Sequence, residues 1–340
     1  MKKSISVLYP PERDLKAWAQ RNQQLEVPSR WPYGLEALSK PPADVEARNL
    51  RVATLPQKLA ARALPVRLRA QRAVAGDIGV TWDENAARLM VAAEPRRHMY
   101  SGVIWLPDSV IADPHGPHQR ICAALRQMRK LWVLSRAQLE PLRRVLGKGC
   151  PPIEFVKFGV DKEFFAAQPY PERPLVLSIG GDRHRDPATL FRALQGVHER
   201  FPFAEIIVQS ASPLPAPPGV EKVKHVSHRQ LRELYARASV VAVATANNLH
   251  ASGMTVSLEA MATGRPIVMT RTPGIEDYIN DGVSGFLTPQ GDHKALAAAV
   301  ARLLEQPQLA HQMGLAGQRE VADGMTTAHL ARRISEIIDL

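Results

Sequence analysis

From residue 174 onward, short apolar runs alternate with stretches whose apolar residues recur every three or four positions. Pro174-Leu-Val-Leu-Ser-Ile-Gly180 is a run of the first kind, and Asp186 to Arg200 is of the second, with Leu190, Leu194 and Val197 on one face. Ala204-Glu-Ile-Ile-Val208 is strand-like again, so the three together read as a βαβ unit. The alternation continues through a helix over 230–237, a strand over 239–244, a helix over 255–263 and a strand over 265–269. Gly264 stands where a helix C-terminal glycine belongs, and Pro266 follows it as a stop. Repeated βα units bury both faces of a parallel sheet, which predicts a doubly wound α/β domain.

The first half carries a fainter form of this pattern. It predicts strands over 4–9, 51–54, 78–82, 103–106, 131–135 and 153–158, and helices over 84–92, 119–129 and 138–146. Two α/β domains in tandem follow: residues 1–160, then 161–325, joined near Gly159-Val-Asp161. The tail, 326–340, is an amphipathic helix through Leu330, Ile334, Ile337 and Ile338 that is expected to return to the first domain. There is no repeat at solenoid spacing, and the Pro-rich loop Pro213–Pro218 is short.

At 340 residues, with 45% hydrophobic and 23% charged, the chain has the balance of a soluble protein with a substantial core and length for two domains. Cys122 and Cys150 cannot make a disulfide framework, so the expected compartment is reducing, the cytoplasm or the inner face of its membrane. Pro10, Pro11, Glu12 and Arg13 break the apolar run behind the basic start, against a secretory leader. The uncharged stretch 238–258 is interrupted by Asn247, Asn248 and His250, against a spanning helix. Charge is unevenly distributed: residues 1–160 hold 26 Lys and Arg against 14 Asp and Glu, which accounts for all of the net +11. Such a half suits an acidic partner, whether an anionic membrane, an acidic acceptor or nucleic acid.

The most informative stretch runs from Asn247 to Val268. A strand ends, a loop carries Gly253, and a helix begins near Thr255. Free backbone N–H groups at a helix start, closely approached because glycine has no side chain, form a phosphate site. Glu259, one turn further in, suits bidentate hydrogen bonding to vicinal hydroxyls such as those of a ribose. Taken singly, Gly253 reads first as an ordinary turn and Glu259 as a solvated helix residue.

Together, Gly253-Met-Thr-Val-Ser-Leu-Glu-Ala-Met-Ala-Thr-Gly-Arg-Pro-Ile-Val268 and Thr272-Pro-Gly-Ile-Glu-Asp-Tyr-Ile279 resemble the nucleotide-sugar signature of the retaining glycosyltransferases of family 4. The resemblance covers 174–325 and fades before Gly159. It implies a GT-B fold, with two Rossmann-like domains facing a central cleft. It also implies transfer of a glycosyl group from a nucleoside-diphosphate sugar to a glycan or lipid-linked acceptor hydroxyl. In that family the second Glu of a Glu-x7-Glu motif binds the nucleotide ribose, and Glu259 matches it. The first Glu is missing: counting back without a gap puts Ala251 in its place, and aligning on the loop glycine puts His250 there. His250 is favoured, as an imidazole can serve a sugar hydroxyl or face a phosphate; its bland role is to cap the strand end.

By the same resemblance, Arg185 in Gly180-Gly-Asp-Arg-His-Arg185 takes the place of a Lys that holds the leaving diphosphate, with Arg183 in support. Fixed cations there lower the barrier by stabilising charge as it develops on the leaving phosphate. Pairing with Asp182 or Asp186 is the plainer role for either arginine. The expected donor-binding set is therefore Arg183, Arg185, His250, Ser252, Gly253, Met254, Thr255 and Glu259, with Gly34 contributed from the first domain. Arg185, His250 and Glu259 are expected to serve the reaction itself. Asp83 or Glu84 is a candidate for the acceptor, helix capping being the plainer role of Asp83. His98, His115 and His118 lack convincing ligand spacing, so neither a metal nor another cofactor is expected. The stretch 56–76, with Lys58, Arg62, Arg67, Arg69 and Arg72 among leucines, fits an anionic bilayer surface or an ordinary solvated helix.

Two other classes compete. Nucleic-acid binding would explain the pI of 9.9 but not the Gly253–Glu259 loop, and aromatics are only 6%, too few to suggest a stacking surface. A nucleotide-sugar epimerase of the same fold would differ in consuming donor without acceptor product. A dinucleotide oxidoreductase lacks its Gly-x-Gly-x-x-Gly after the first strand.

Overall fold

The computed structural model describes residues 4–39, 44–64, 68, 70 and 78–338. The chain divides into two compact units, one formed by 1–24, 29–156 and 328–340, the other by 25–28 and 157–327. The division falls at 156/157, against the boundary at 160 expected from the sequence.

In the first unit the strands are β1 (Ser4–Tyr9), β2 (Asp44–Asn49), β3 (Ile78–Thr81), β4 (His98–Val103), β5 (Lys130–Val133) and β6 (Ile153–Phe155). They form one parallel sheet in the order β2-β1-β3-β4-β5-β6. Its helices are α1 (Leu15–Gln23), α2 (Leu55–Ala63), α3 (Glu84–Ala93), α4 (Leu106–Ala112), α5 (Gln119–Leu125) and α6 (Leu139–Leu146). Leu8, Met90, Val103, Leu125, Leu131 and Leu142 belong to its core.

Two predicted strands are displaced. Residues 51–54 lead into α2, and the strand beside β1 is Asp44–Asn49, a half-exposed edge strand with no apolar run to announce it. Residues 103–106 turn into α4, and the central strand is His98–Val103, where Gly102 interrupts the apolar signal. A Cβ on Gly102 would meet the Trp82 carbonyl oxygen at 2.1 Å, so this strand requires glycine for backbone approach.

The second unit contains β7 (Leu175–Ser178), β8 (Glu205–Gln209), β9 (Glu221–Val223), β10 (Val240–Val243), β11 (Ile267–Thr270) and β12 (Gly285–Thr288), again all parallel, in the order β12-β11-β10-β7-β8-β9. Its helices are α7 (Pro187–Arg200), α8 (His228–Arg237), α9 (Met254–Ala262), α10 (His293–Glu305) and α11 (Pro307–Gly324); α12 (Thr327–Ile337) begins at the unit's last residue and otherwise groups with the first unit. One face of the sheet, with Val176, Val208, Ala242 and Val268, buries Phe191, Leu194, Val300 and Met313 from the helices. Gly264 follows α9 with φ +83°, and its N–H donates to the Met261 carbonyl. A positive φ with no Cβ penalty lets the chain turn there directly into β11.

Each unit is thus an open parallel sheet with covering helices, the α/β class expected from the pattern. Of the basic stretch 56–76, α2 is described, while residues 65–67, 69 and 71–77 lie outside the described residues. Leu55, Leu59, Leu64 and Leu68 are all exposed, Leu55 by 71%. Among the described residues no helix is long and apolar enough to cross a membrane.

Candidate functional site

The strand order of the second unit reverses between β7 and β10. Loops leaving the carboxyl ends of two such strands diverge to opposite faces and leave a crevice, where open α/β sheets bind ligands. Here the two loops are tied together. Asp186 N–H donates to the Ala244 carbonyl (2.9 Å), Ala246 N–H donates to the His184 carbonyl (2.8 Å), and Arg185 and Thr245 form an antiparallel bridge. This stitching carries Asp182, His184 and Arg185 to His250, Ser252 and Gly253, residues some 70 positions later in the chain.

Gly253 is the N-cap of α9, in the left-handed region at φ +95°, and no side chain caps the helix. A Cβ there would stand 2.4 Å from Met269 Cε and 2.8 Å from Arg185 Nη1; one on Gly180 would stand 2.1 Å from Arg185 Nη2. Two glycines therefore make the slot that holds one guanidinium. Its Nη2 donates to the Ile179 carbonyl at 3.3 Å. Nε and Nη1 are shut off from solvent and have no hydrogen-bond partner. Burial lowers the Arg185 pKa from its ordinary value, opposed by the negative charge of Asp182 and the influence of Tyr235 and Glu259. Desolvated donors without acceptors are costly, and a cation of this kind beside an uncapped helix start has the chemistry to receive an anion.

Glu259 lies on the buried side of α9 and accepts a hydrogen bond from the Tyr235 hydroxyl at 3.0 Å. Burial pushes its carboxyl pKa up to about 8, although the Tyr235 hydrogen bond and the Arg185 charge pull the other way. Tyr235 comes from α8, whose end is clamped by the buried Arg265: Nε donates to the Tyr235 carbonyl (2.8 Å), and Nη2 to those of Ala236 (2.9 Å) and Pro169 (2.7 Å).

Asp182 is the hub of the remaining polar contacts. Its Oδ1 accepts from Ser252 Oγ (2.7 Å) and His184 N–H (2.8 Å), and its Oδ2 lies 3.4 Å from His250 Nε2. Burial alone would raise its pKa, yet hydrogen bonding to His250 and Ser252 holds it well below the usual carboxylate range. The rings of His184 and His250 are 4.9 Å apart. Asp182, His184 and His250 each offer a ligand atom within 4.8 Å of the others, a group capable of holding a metal ion. Sequence spacing gave no hint of it, because two loops of the fold have to meet.

The other expected residues divide. Ser252 and Met254 are buried beside Gly253, Thr255 is exposed in the first turn of α9, and Arg183 is exposed. Asp186 caps α7 through Thr189 N–H (3.0 Å), and Asp182, whose negative charge acts on Arg185, takes the hydrogen bonds given above. Gly34 belongs to the first unit, buried at φ +70° in the 3-10 segment Pro32–Leu38, next to Tyr33 at φ +66°, whose ring stacks on Trp82 at 4.1 Å. Asp83 caps α3 through Asn85 and Ala86 N–H. Glu84 is corrected as an acceptor candidate: its buried carboxyl accepts from Ile104 and Trp105 N–H, both at 2.8 Å, at the start of α4. Tyr235 and His184 were not expected. Tyr235 reads from the sequence only as the apolar position of an amphipathic helix.

Residues 208–320 match the family model described as "Glycosyl transferases group 1", a segment that takes in α9 and the loop before it. The curated relatives align over parts of the chain. The GDP-mannose-dependent alpha-(1-6)-phosphatidylinositol monomannoside mannosyltransferase of Mycolicibacterium smegmatis is 26% identical over 55% of this chain and 56% of its own. The amylovoran biosynthesis glycosyltransferase AmsK of Erwinia amylovora is 36% identical over 26% of this chain and 22% of its own. The chain thus spans from about a fifth to little more than half of the length of these relatives. Among solved structures, sucrose-phosphate synthase of Thermosynechococcus elongatus aligns over 99% of this chain and 98% of its own, with TM-score 0.69 and 17% identity. HepE of Anabaena, solved with UDP and glucose, aligns over 99% of both chains with TM-score 0.70 and 15% identity. The two-unit α/β fold is the one these solved structures share, the GT-B type, and the segment that matches the family model lies in the second unit.

Proposed function

We propose that the chain is a glycosyltransferase that takes its sugar from a nucleoside-diphosphate donor and delivers it, with retention at the anomeric carbon, to an acceptor hydroxyl. The observation that carries this reading is the buried Arg185 guanidinium, with Nε and Nη1 unsatisfied, at the uncapped start of α9. The family-model match over 208–320 supports it.

In this reading the diphosphate rests on the first turn of α9, against Gly253, Met254 and Thr255, and takes the two open donors of Arg185, with Arg183 at the exposed side. Glu259 grips the ribose hydroxyls. His250 stands toward the transferred sugar, held by Asp182. As the bond from the anomeric carbon to the β-phosphate oxygen breaks, charge grows on that oxygen, and Arg185 and the α9 amides are oriented toward it before the reaction begins. The acceptor hydroxyl attacks from the same face, its proton passing to the departing phosphate oxygen, so acid and base are supplied by the leaving group. The basic first half suits a glycan or lipid-linked acceptor, and the exposed Leu55, Leu59, Leu64 and Leu68 suit docking on an anionic bilayer.

The test is turnover. Purified chain is incubated with a panel of UDP-, GDP-, ADP- and TDP-sugars and a mixture of membrane lipids and glycans, and nucleoside diphosphate release and product linkage are read. Acceptor-dependent release with an α-linked product from an α-linked donor is expected; donor consumed with no acceptor product would instead favour an epimerase.

A further inference from the structure

We infer that the first unit holds a site for an oxyanion, a phosphate or carboxylate group carried by the acceptor, with Arg13 as the residue that binds it. That the ligand is an acceptor rests on the function proposed above; that it is an anion rests on this unit alone. The strand order β2-β1-β3 reverses at β1, so the loops that leave the carboxyl ends of β1 and β3 diverge and leave a crevice. Arg13 lies in the first of these loops, and Trp82 directly follows β3. Tyr33 joins the two: its ring stacks on that of Trp82 at 4.1 Å, and the Arg13 guanidinium lies over it at 4.9 Å. An indole at that distance takes one face of the phenol ring, which leaves the guanidinium the other. The stack therefore presents no bare aromatic face to a sugar. It presents the outer face and the N–H edge of a cation.

Each layer is fixed from behind. Tyr33 stands at φ +66°, a left-handed backbone that a bulky side chain keeps only where its surroundings impose it. Here the Tyr9 hydroxyl donates to the Pro32 carbonyl (2.9 Å) and the Gly34 N–H to the Trp31 carbonyl (3.1 Å). Asn49 of β2 pins the Arg13 loop: Nδ2 donates to the carbonyls of Pro10 (3.0 Å) and Arg13 (2.7 Å), and Oδ1 accepts from the Leu15 N–H (3.3 Å). Arg13 is half-buried, and among the described residues no ion pair joins it to a carboxylate. The acidic groups around the stack are committed to backbone amides. Asp14 accepts from Lys16 and Ala17, Glu36 from Arg30 and Trp31, and Asp83 from Asn85 and Ala86. The Tyr33 phenol, its pKa raised by burial, stays neutral and takes none of the guanidinium's charge. A guanidinium held flat on a ring, with no carboxylate of its own, matches the two oxygens of a phosphate or carboxylate.

The experiment offers the full-length chain glucose 6-phosphate, glycerol 1-phosphate, glucuronate and glucose, each alone and without donor, read by saturation-transfer NMR and calorimetry. At least one of the three anionic probes should bind and be displaced by inorganic phosphate, while glucose does not bind. Arg13→Gln should weaken that binding by about ten- to a hundredfold, the scale of losing a charge-assisted hydrogen-bonding partner. Arg13→Lys should keep part of it, since the charge stays and the fork is lost. The melting temperature of Arg13→Gln should fall by no more than about 4 °C, as only one stacking contact is lost, and its nucleoside diphosphate binding should equal that of the wild type. Which probe binds tells a phosphate from a carboxylate. Failure of all three anionic probes, or equal binding by wild type and Arg13→Gln, overturns the site and leaves a surface arginine packed on a ring. Loss of nucleoside diphosphate binding in Arg13→Gln overturns it too, by giving the arginine to the donor. Nucleoside diphosphate binding by the wild type tests the glycosyltransferase reading alone, so either can fail without the other.

Discussion

Gly253 and Arg185 are fitted to each other: a Cβ on Gly253 would lie 2.8 Å from Arg185 Nη1, and the glycine also holds φ +95°. Gly253→Ala combines a strained left-handed backbone with displacement of the guanidinium. It is expected to cost about 1–3 kcal/mol in stability and to weaken nucleoside diphosphate binding beyond detection. Chemical denaturation and calorimetry check the two parts.

Arg185 itself separates function from stability. Because Nε and Nη1 are buried without partners, Arg185→Met removes unsatisfied donors and fills the slot with apolar atoms. The melting temperature without ligand should hold or rise, while turnover falls by about a hundred- to a thousandfold, the scale of losing one donor to a developing oxyanion. A fall in both together would make Arg185 a structural residue.

The fold class and the core of the candidate site were legible because both rest on local signals. Apolar runs such as Leu175-Val-Leu give buried parallel strands, and the Gly253-to-Glu259 spacing gives a helix start with a carboxylate one turn inside. What stayed hidden depends on contacts distant in sequence. The edge strand 44–49 is half exposed and shows no apolar run, and Gly102 is dictated by the Trp82 backbone. Asp182, His184 and His250 meet only after two loops are joined, and Tyr235 reaches Glu259 only once α8 is clamped by Arg265.

Glu259 makes stability depend on pH. Its folded pKa of about 8 lies above the ordinary 4.5, so the folded state binds the extra proton between these values. The group's stabilising contribution is full below about pH 4.5 and is lost as pH rises through about 8, at a slope of about 1.4 kcal/mol per pH unit within the window. Glu259→Gln should remove that slope and be the more stable protein at pH 8, while losing ribose-dependent affinity. Urea unfolding of both proteins from pH 5 to 8.5 checks this; parallel curves would place the ionised carboxylate in the folded state throughout.

Arg265 supports the site from a distance. It is fully buried and donates to three carbonyls at the end of α8 and at Pro169. Arg265→Met strands those acceptors and should cost at least about 3 kcal/mol, seen as a lower denaturation midpoint. Arg265→Lys should recover only part of it, since an ammonium cannot fork to all three.

The exposed leucines make a separate prediction. Leu55→Gln with Leu59→Gln, at positions 71% and 56% exposed, should leave the melting temperature within about 2 °C of wild type. Sedimentation with phosphatidylglycerol vesicles should fall several-fold, if the bilayer docking proposed here holds; equal sedimentation would remove the leucines from any membrane face.

The most direct measurement is a crystal structure of the chain grown with UDP, GDP, ADP or TDP, whichever raises its melting temperature most. The account predicts phosphate oxygens on the α9 amides and on Nε and Nη1 of Arg185, with both ribose hydroxyls on the Glu259 carboxyl. A nucleotide bound elsewhere, or a β7–β10 crevice that excludes all four with Glu259 engaged only by Tyr235, would contradict it.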